Sequence, residues 1–368
     1  MSSKLAILFA GGGSGGHIMP NLAVIDRLAE MGVPARCMLL ISHRPLDAQI
    51  AEEYGASATA LAARPWSARP WHWPGFALAW RSSVAMVRTL IHRYNAAAVI
   101  ATGGFVSAPA LAAGAKAGVR TALVNLDAVP GKANRALAKR VGDIFTAHRV
   151  NLWPDAHKID LPVRRAAIGP DDPGQARREL AMQADRPMLL VCGGSQGAES
   201  INHMMLALTE HRGVVAALGR WQILHLTGEQ DNDKLTAAYA RAGIRAKVAA
   251  FSTRMGLAWA GADLAISRGG ANSVAEAWVN ATPTIFLPYP YHRDEHQRLN
   301  VKPLADIGGG VVYQDLIDPT ANLHQLASPL ISMMTNSGWR QSMVDKMLAQ
   351  APSDGAATIA QWIADLLD

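Results

Sequence analysis

The chain has 368 residues, half of them hydrophobic and 17% charged, which excludes a disordered protein and exceeds one ordinary core, so two domains are expected. Its formal net charge of +6 favours an anionic partner, either a nucleotide or a phospholipid surface. No run of basic residues and aromatics marks a nucleic-acid face, so nucleic acid ranks last and no nucleic-acid partner is expected.

Strand-like runs alternate with helix-like stretches along the whole chain. "LAILFA" (5–10) leads through a glycine block to a helix from about Asn21 to Met31, and "ARCMLLI" (35–41) precedes a helix through Tyr54. "AAVIAT" (97–102), "TALVN" (121–125) and "DIFTA" (143–147) continue the series. A Pro/Gly-rich stretch near 160–174 follows, and the pattern then restarts with "PMLLVCGGSQGAESINHMM" (187–205). "WQILHLTG" (221–228), "AKVAAF" (246–251), "ADLAIS" (262–267) and "PTIFLP" (283–288) complete it. Apolar runs of this length between helices imply parallel strands covered on both faces, in two doubly wound α/β halves. Cys37 and Cys192 lie singly in apolar runs, so they read as buried thiols of a reducing compartment. The opening apolar run is too short for a signal peptide, and residues 96–115 are broken by Gly103, Gly104 and Pro109, so no membrane span is expected.

Each half opens with glycines at the carboxyl end of its first strand, where open α/β sheets bind ligands. Glycines admit a phosphate close to the backbone, and the helix that follows presents free N–H groups. Gly11, Gly13 and Gly16 have the spacing of a dinucleotide fingerprint, but that fingerprint also needs an acid at the end of the second strand. Here that strand ends "LLISHRPLD" and Asp47 comes late, while His43 and Arg44 leave a 2′-phosphorylated dinucleotide open. No Gly-Lys-Ser/Thr follows either block, so a Walker loop is excluded. His17 at the loop exit either caps backbone or serves as a neutral base, which a helix N-terminus favours.

The second half reads "SRGGANSVAEAWVNATPTIFLPYPYHRDEHQRLN" over 267–300. Glu276, early on the helix after Gly269 and Gly270, suits vicinal hydroxyls or merely complements the helix dipole. His292, Asp294 and His296 are metal-ligand types, yet Arg293 and Arg298 among them favour sugar or phosphate contacts over a cation.

In order and spacing, "GGGSGGHIMPNLAV", "TGGFVSAPALAA", "AVPGKANR", "PVR", "GGSQGA" and the 267–300 stretch resemble the MurG-type peptidoglycan glycosyltransferases of family 28. The resemblance runs from residue 5 to about 310. It implies a GT-B fold, two Rossmann-like doubly wound parallel-sheet domains facing a cleft, and inverting transfer of N-acetylglucosamine from a UDP donor to undecaprenyl-diphospho-muramoyl pentapeptide. It implies no cofactor and no metal. The first domain, 1–162, would face the membrane and hold the acceptor, and the second, 163–345, would hold the donor. A closing helix in 346–368 is expected to pack back on the first domain. Donor contacts carried over by the motifs are Arg164, Ser195, Gln196, Gly197, Phe251, Ser252, Glu276, His296 and Gln297. His296 departs from the glutamine that is common there. Gly13, Ser14, Gly15 and Gly16 would cradle the acceptor diphosphate, with His17 as general base.

Two features stand apart from that pattern. The family usually reads His-Glu-Gln-Asn before "AVPG", where this chain has Val124, Asn125, Leu126 and Asp127. That leaves Asp127 as an alternative base or a partner for His17, and leaves open a different acceptor, glycolipid or small molecule, or an impaired nucleotide-sugar-binding protein. Residues 64–80, "RPWSARPWHWPGFALAW", place Trp66, Trp71, Trp73, Phe76 and Trp80 beside arginines, which suits an anionic bilayer interface. A peripheral enzyme at the cytoplasmic face of the membrane is the expectation.

Overall fold

A computed structural model describes residues 5–13, 15–194 and 198–367. The chain divides into two units, Met1–Arg164 with Ser353–Asp368, and Arg165–Pro352.

The first unit contains β1 (Ala6–Gly11), β2 (Arg36–Ile41), β3 (Ala58–Ala60), β4 (Ala96–Gly103), β5 (Arg120–Asn125), β6 (Asp143–Thr146) and β7 (His157–Lys158). They make one sheet in the order β3-β2-β1-β4-β5-β6-β7, every pair parallel. All six residues of β1 are buried, as a central strand covered on both faces requires. The strand order reverses between β1 and β4, so the loops leaving their carboxyl ends share one switch point.

In the second unit β8 (Met188–Cys192), β9 (Gln222–Leu226), β10 (Arg245–Ala249), β11 (Leu264–Ser267), β12 (Thr284–Phe286) and β13 (Gly310–Val312) form a parallel sheet. Its order is β10-β9-β8-β11-β12-β13, with the reversal between β8 and β11. Both sheets therefore put their glycine loops at the reversal.

Three strands have no forerunner in the sequence pattern. β3, β7 and β13 are two or three residues long and lie at or near sheet edges, where no continuous apolar run is needed. The first helix begins at Gly15, not near Asn21, and runs to Glu30 with Pro20 inside it. Glycines and a proline read as loop, but the lost ladder bond at Pro20 is cushioned next door. The His17 carbonyl accepts from both the Asn21 amide and the Thr102 hydroxyl. The tryptophan-rich stretch is also more ordered than its sequence suggests. A 3₁₀ turn at Pro70–His72 leads into a 22-residue helix, Trp73–Tyr94, which buries Ala79, Ser83, Val84, Val87, Leu90 and Ile91 along one stripe. Cys192 is buried as expected, whereas Cys37 is only half-buried. Among the described residues, no helix is long and apolar enough to cross a membrane.

The last helix, Gly355–Leu367, packs on the first, Gly15–Glu30. Arg27, 2% exposed, reaches it: its Nε donates to Asp354 Oδ2 at 2.6 Å and its Nη2 to the Val163 carbonyl at 3.1 Å. Ser353 donates through both backbone N–H and hydroxyl to Asp160 Oδ2 at 2.7 Å. Arg27 Nη1 also meets the exposed Glu30 Oε1 at 3.4 Å, so losing Asp354 takes the closer of two carboxylates from a buried charge. Asp354→Ala is therefore expected to cost about 2 kcal/mol, given that Asp354 is itself partly exposed. The check is the urea midpoint together with proteolytic release of the final helix.

Candidate functional site

In the first unit, the opening loop is tied down from several sides. Buried Asp47 accepts from Gly13 N at 2.8 Å, Ser42 N at 3.1 Å and Ser42 Oγ at 2.5 Å. The acid that a dinucleotide ribose would need is thus occupied in bracing the loop. Arg44 donates to the Gly13 carbonyl and lies over the Phe105 ring. Gly13, Gly15 and Gly16 stand at the amino end of the first helix with His17 in its first turn, while Ser14 lies outside the described residues.

His17 rests on the turn that follows β4. Gly103 (φ 123°) and Gly104 (φ 77°) both adopt the left-handed half of backbone space, which favours glycine. A Cβ on Gly103 would stand 2.8 Å from His17 Cε1 and Nδ1, and one on Gly104 would stand 2.2 Å from the Gly12 carbonyl. Burial holds the His17 pKa below the usual histidine value, with Asp127 pulling the other way. The result is an imidazole that burial keeps neutral, its Nδ1 buried against the Gly103 turn without a partner among the described residues.

Of the four replacements for His-Glu-Gln-Asn, Val124, Asn125 and Leu126 are buried. The Asn125 amide donates to the Asp127 carbonyl at 2.7 Å and its Oδ1 accepts from Asn134, so it braces the turn. Only Asp127 stays half-exposed. The structure adds a group that the sequence reading missed. His148 follows β6, its Nε2 has no partner among the described residues, and burial pushes its pKa down to about 4. Asp127 acts electrostatically on both His17 and His148. The available signal was position: His148 stands just past the carboxyl end of a predicted strand.

Arg164 belongs to this unit. Its Nε donates to Asp26 at 3.3 Å and its guanidinium stacks 3.7 Å above the Tyr54 ring. Among the aromatics of 64–80, Trp66 (67%), Trp71 (70%) and Trp73 (52%) are exposed. Phe76 and Trp80 are half-buried, their ring centroids 6.2 Å apart.

In the second unit, Ser195, Gln196 and Gly197 lie outside the described residues. The helix that follows them, Glu199–Leu208, is anchored by Arg268 from the end of β11. Arg268, 7% exposed, donates to Ser200 Oγ and Asp315 Oδ2, each at 2.6 Å, and to the Leu287 carbonyl at 2.8 Å. One guanidinium thereby fixes the starts or ends of four segments around the glycine loops; neither Arg268 nor Asp315 figured among the expected site residues. Gln297 Oε1 accepts from Tyr289 N at 2.8 Å, and His296 Nδ1 meets Asp294 Oδ1 at 2.8 Å. The His292 and His296 rings lie 4.3 Å apart, and no cluster fit to hold a metal occurs among the described residues. Phe251 is exposed and Ser252 half-buried, its Oγ accepting from Arg254 N.

Glu276 stands on the helix Ala271–Val279. Burial pushes its carboxyl up to about 7, against a hydrogen bond from Trp259 Nε1 at 2.8 Å. A carboxylate kept in so poor a setting is a strong functional candidate.

The amino-terminal domain model of glycosyltransferase family 28 matches residues 7–146, and the carboxyl-terminal domain model of the same family matches residues 188–359. A relative from Clavibacter michiganensis is 32% identical over 97% of this chain and 95% of its own. The chain belongs to glycosyltransferase family 28. That relative is named UDP-N-acetylglucosamine--N-acetylmuramyl-(pentapeptide) pyrophosphoryl-undecaprenol N-acetylglucosamine transferase, as is one from Syntrophus aciditrophicus, 29% identical over 98% of this chain and 97% of its own. The crystal structure of Acinetobacter baumannii MurG matches with a TM-score of 0.71 at 24% identity, covering 98% of this chain and 99% of the other. The two parallel-sheet units are thus those of the GT-B fold, and this family 28 protein is a glycosyltransferase.

The carboxyl of Glu276 has a consequence for stability with a definite sign. Its ordinary value is 4.5 and its folded value about 7, so the native state prefers it protonated. Its charging destabilises the fold progressively as pH rises from 4.5 to about 7, and the loss persists above that. Glu276→Gln is expected to raise the melting temperature over the parent at pH 8 and to leave it unchanged at pH 4, as read by calorimetry.

Proposed function

We propose that this protein transfers N-acetylglucosamine, with inversion, from UDP-N-acetylglucosamine to undecaprenyl-diphospho-muramoyl pentapeptide. The observation that carries the reading is the full-length likeness, across both units, to relatives that bear that name. The acceptor diphosphate occupies the loop Gly13–Gly16, where backbone N–H groups at a helix start receive an anion. His17 takes the proton from the acceptor hydroxyl; that oxygen bonds to the anomeric carbon as the bond to UDP breaks. UDP departs with the electron pair, received by the glycine loop at 193–198 and the helix dipole behind it. Glu276 accepts from the ribose hydroxyls, Ser195, Gln196, Gly197 and Arg164 meet the diphosphate, His296 and Gln297 the sugar, and Phe251 and Ser252 the uracil. Asp127 raises the basicity of His17 once a proton arrives there.

UDP release measured with and without the lipid-linked acceptor tests this reading. Turnover is expected only with that acceptor, and turnover on an unrelated alcohol would favour a different acceptor class. The loss of His-Glu-Gln-Asn supports that second reading, because Val124, Asn125 and Leu126 offer the acceptor no ionisable group. Glu276→Ala is expected to raise the donor Kd about tenfold or more, while His17→Ala lowers kcat about a hundredfold or more with donor affinity kept. Calorimetric titration with the donor and steady-state rates check the two.

We further propose peripheral attachment to the cytoplasmic membrane face through residues 64–80. Exposed Trp66, Trp71 and Trp73, with exposed Leu78 on the following helix, supply the apolar surface. From Tyr54 to Leu126 the sequence has no Asp or Glu but has Arg64, Arg69, Arg81, Arg88, Arg93, Lys116 and Arg120, which supplies attraction to anionic lipid. Replacing Trp66, Trp71 and Trp73 together by serine is expected to abolish sedimentation with phosphatidylglycerol vesicles while leaving the melting temperature intact. Retained sedimentation in the folded variant excludes this attachment.

A further inference from the structure

Trp259 is the largest fully buried side chain among the described residues. Its carbonyl accepts from Thr282 Oγ1 and from Ala262 N, both at 3.0 Å, so its backbone is pinned. Its one polar side-chain atom, Nε1, donates to Glu276 Oε2 at 2.8 Å. A buried indole N–H needs an acceptor, and a neutral carbonyl would satisfy it without desolvating a charge. A half-buried carboxylate is the costly partner. Its other oxygen, Glu276 Oε1, accepts from no described residue. One oxygen of the carboxylate is anchored and the other is open.

We propose that Trp259 is a positioning residue for substrate: its indole N–H fixes the Glu276 carboxylate so that Oε1 is presented to the vicinal hydroxyls of a nucleoside ribose. The proposal rests on the reading of Glu276 as the ribose contact and deepens it. A hydrogen bond to the ionised form also opposes the burial that favours the neutral one, so the same contact keeps more of the carboxylate charged at neutral pH.

The surroundings leave this bond as the principal counterweight to burial. From β8 the Cys192 thiol faces Glu276, but burial pushes it up to about 12 and it stays uncharged, donating to Ser267 Oγ at 3.4 Å. On the packed helix His296–Asp306, Lys302 pairs with Asp306, while Arg298 pairs with Glu295 just before the helix and His296 with Asp294. Arg254, before the helix that carries Trp259, pairs with Glu179. None of these cations acts on Glu276.

The test uses the full chain, the lipid-linked acceptor at saturation and UDP-N-acetylglucosamine as the varied substrate, from pH 6 to 9. Trp259→Phe is expected to raise the donor KM about tenfold with kcat held within about twofold. The acidic limb of kcat/KM is expected to move up by about one pH unit, since the carboxylate loses a donor that favoured its charge. Combining Trp259→Phe with Glu276→Gln should be no worse than Glu276→Gln alone, because the indole acts only through that side chain. An unchanged KM, an unmoved limb or additive losses in the double variant overturn the role and leave Trp259 as core filling. If Glu276→Gln itself leaves the donor KM unchanged, the ribose assignment falls first, and this role with it. Should Trp259→Phe fail to fold, benzothienylalanine at position 259 keeps the ring volume, removes only the N–H and carries the same expectations.

Discussion

A parallel sheet has one place where neighbouring strands send their crossovers to opposite faces, and this chain puts its glycines there twice. The close approach of two loops at that place is the constraint from which the rest of the first unit follows. Gly104 lies so near the Gly12 carbonyl that a methyl group would overlap it, and Gly103 leaves the space that the His17 ring fills. Asp47 accepts from Gly13 N before the first helix and Thr102 donates to the His17 carbonyl within it. The imidazole is therefore seated by backbone and by buried hydrogen bonds, not by a flexible side-chain contact, which is how a reactive group keeps its geometry.

The second unit solves the same problem with charge. Arg268 spends its donors on Asp315, Ser200 and a strand-end carbonyl, all within the protein, so its role is to tie segments together. Glu276 does the reverse. Among the described residues it pairs with no cation and its side chain is held by one indole N–H, and burial pushes its carboxyl up to about 7. One buried charge is compensated and structural, the other is left short of partners, and that contrast separates scaffold from reactive surface.

Much of this was legible in the residues. Ten of the thirteen strands among the described residues announce themselves as apolar runs, most of them because a strand buried on both faces has to be apolar throughout; β10 is the exception, an exposed edge. The three missed strands are short edges that obey no such demand. The helix start at Gly15 was hidden because Pro20 and the glycines read locally as loop, and only the distant Thr102 shows how that turn is supported. His17 and Glu276 were visible because both follow glycine turns at strand ends. His148, Trp259 and Asp315 were not, since each acquires its meaning from a partner far away in sequence. Val124, Asn125 and Leu126 depart from a family pattern, and the structure shows what they do in this chain: Val124 and Leu126 are buried and Asn125 braces the turn.

The last helix carries an implication for how the molecule is made. The first unit takes its closing helix from the end of the chain, with Arg27 waiting for Asp354 across more than three hundred residues. The second unit is continuous, so every one of its residues leaves the ribosome before the first can be completed. During synthesis the helix Gly15–Glu30 exposes the face that Gly355–Leu367 will cover, and Arg27 has, among the described residues, only the Glu30 carboxylate, at 3.4 Å, before Asp354 arrives at 2.6 Å. The amino-terminal sheet, whose strands all lie before residue 160, is thus covered by a helix that is synthesised only after the whole of the second unit.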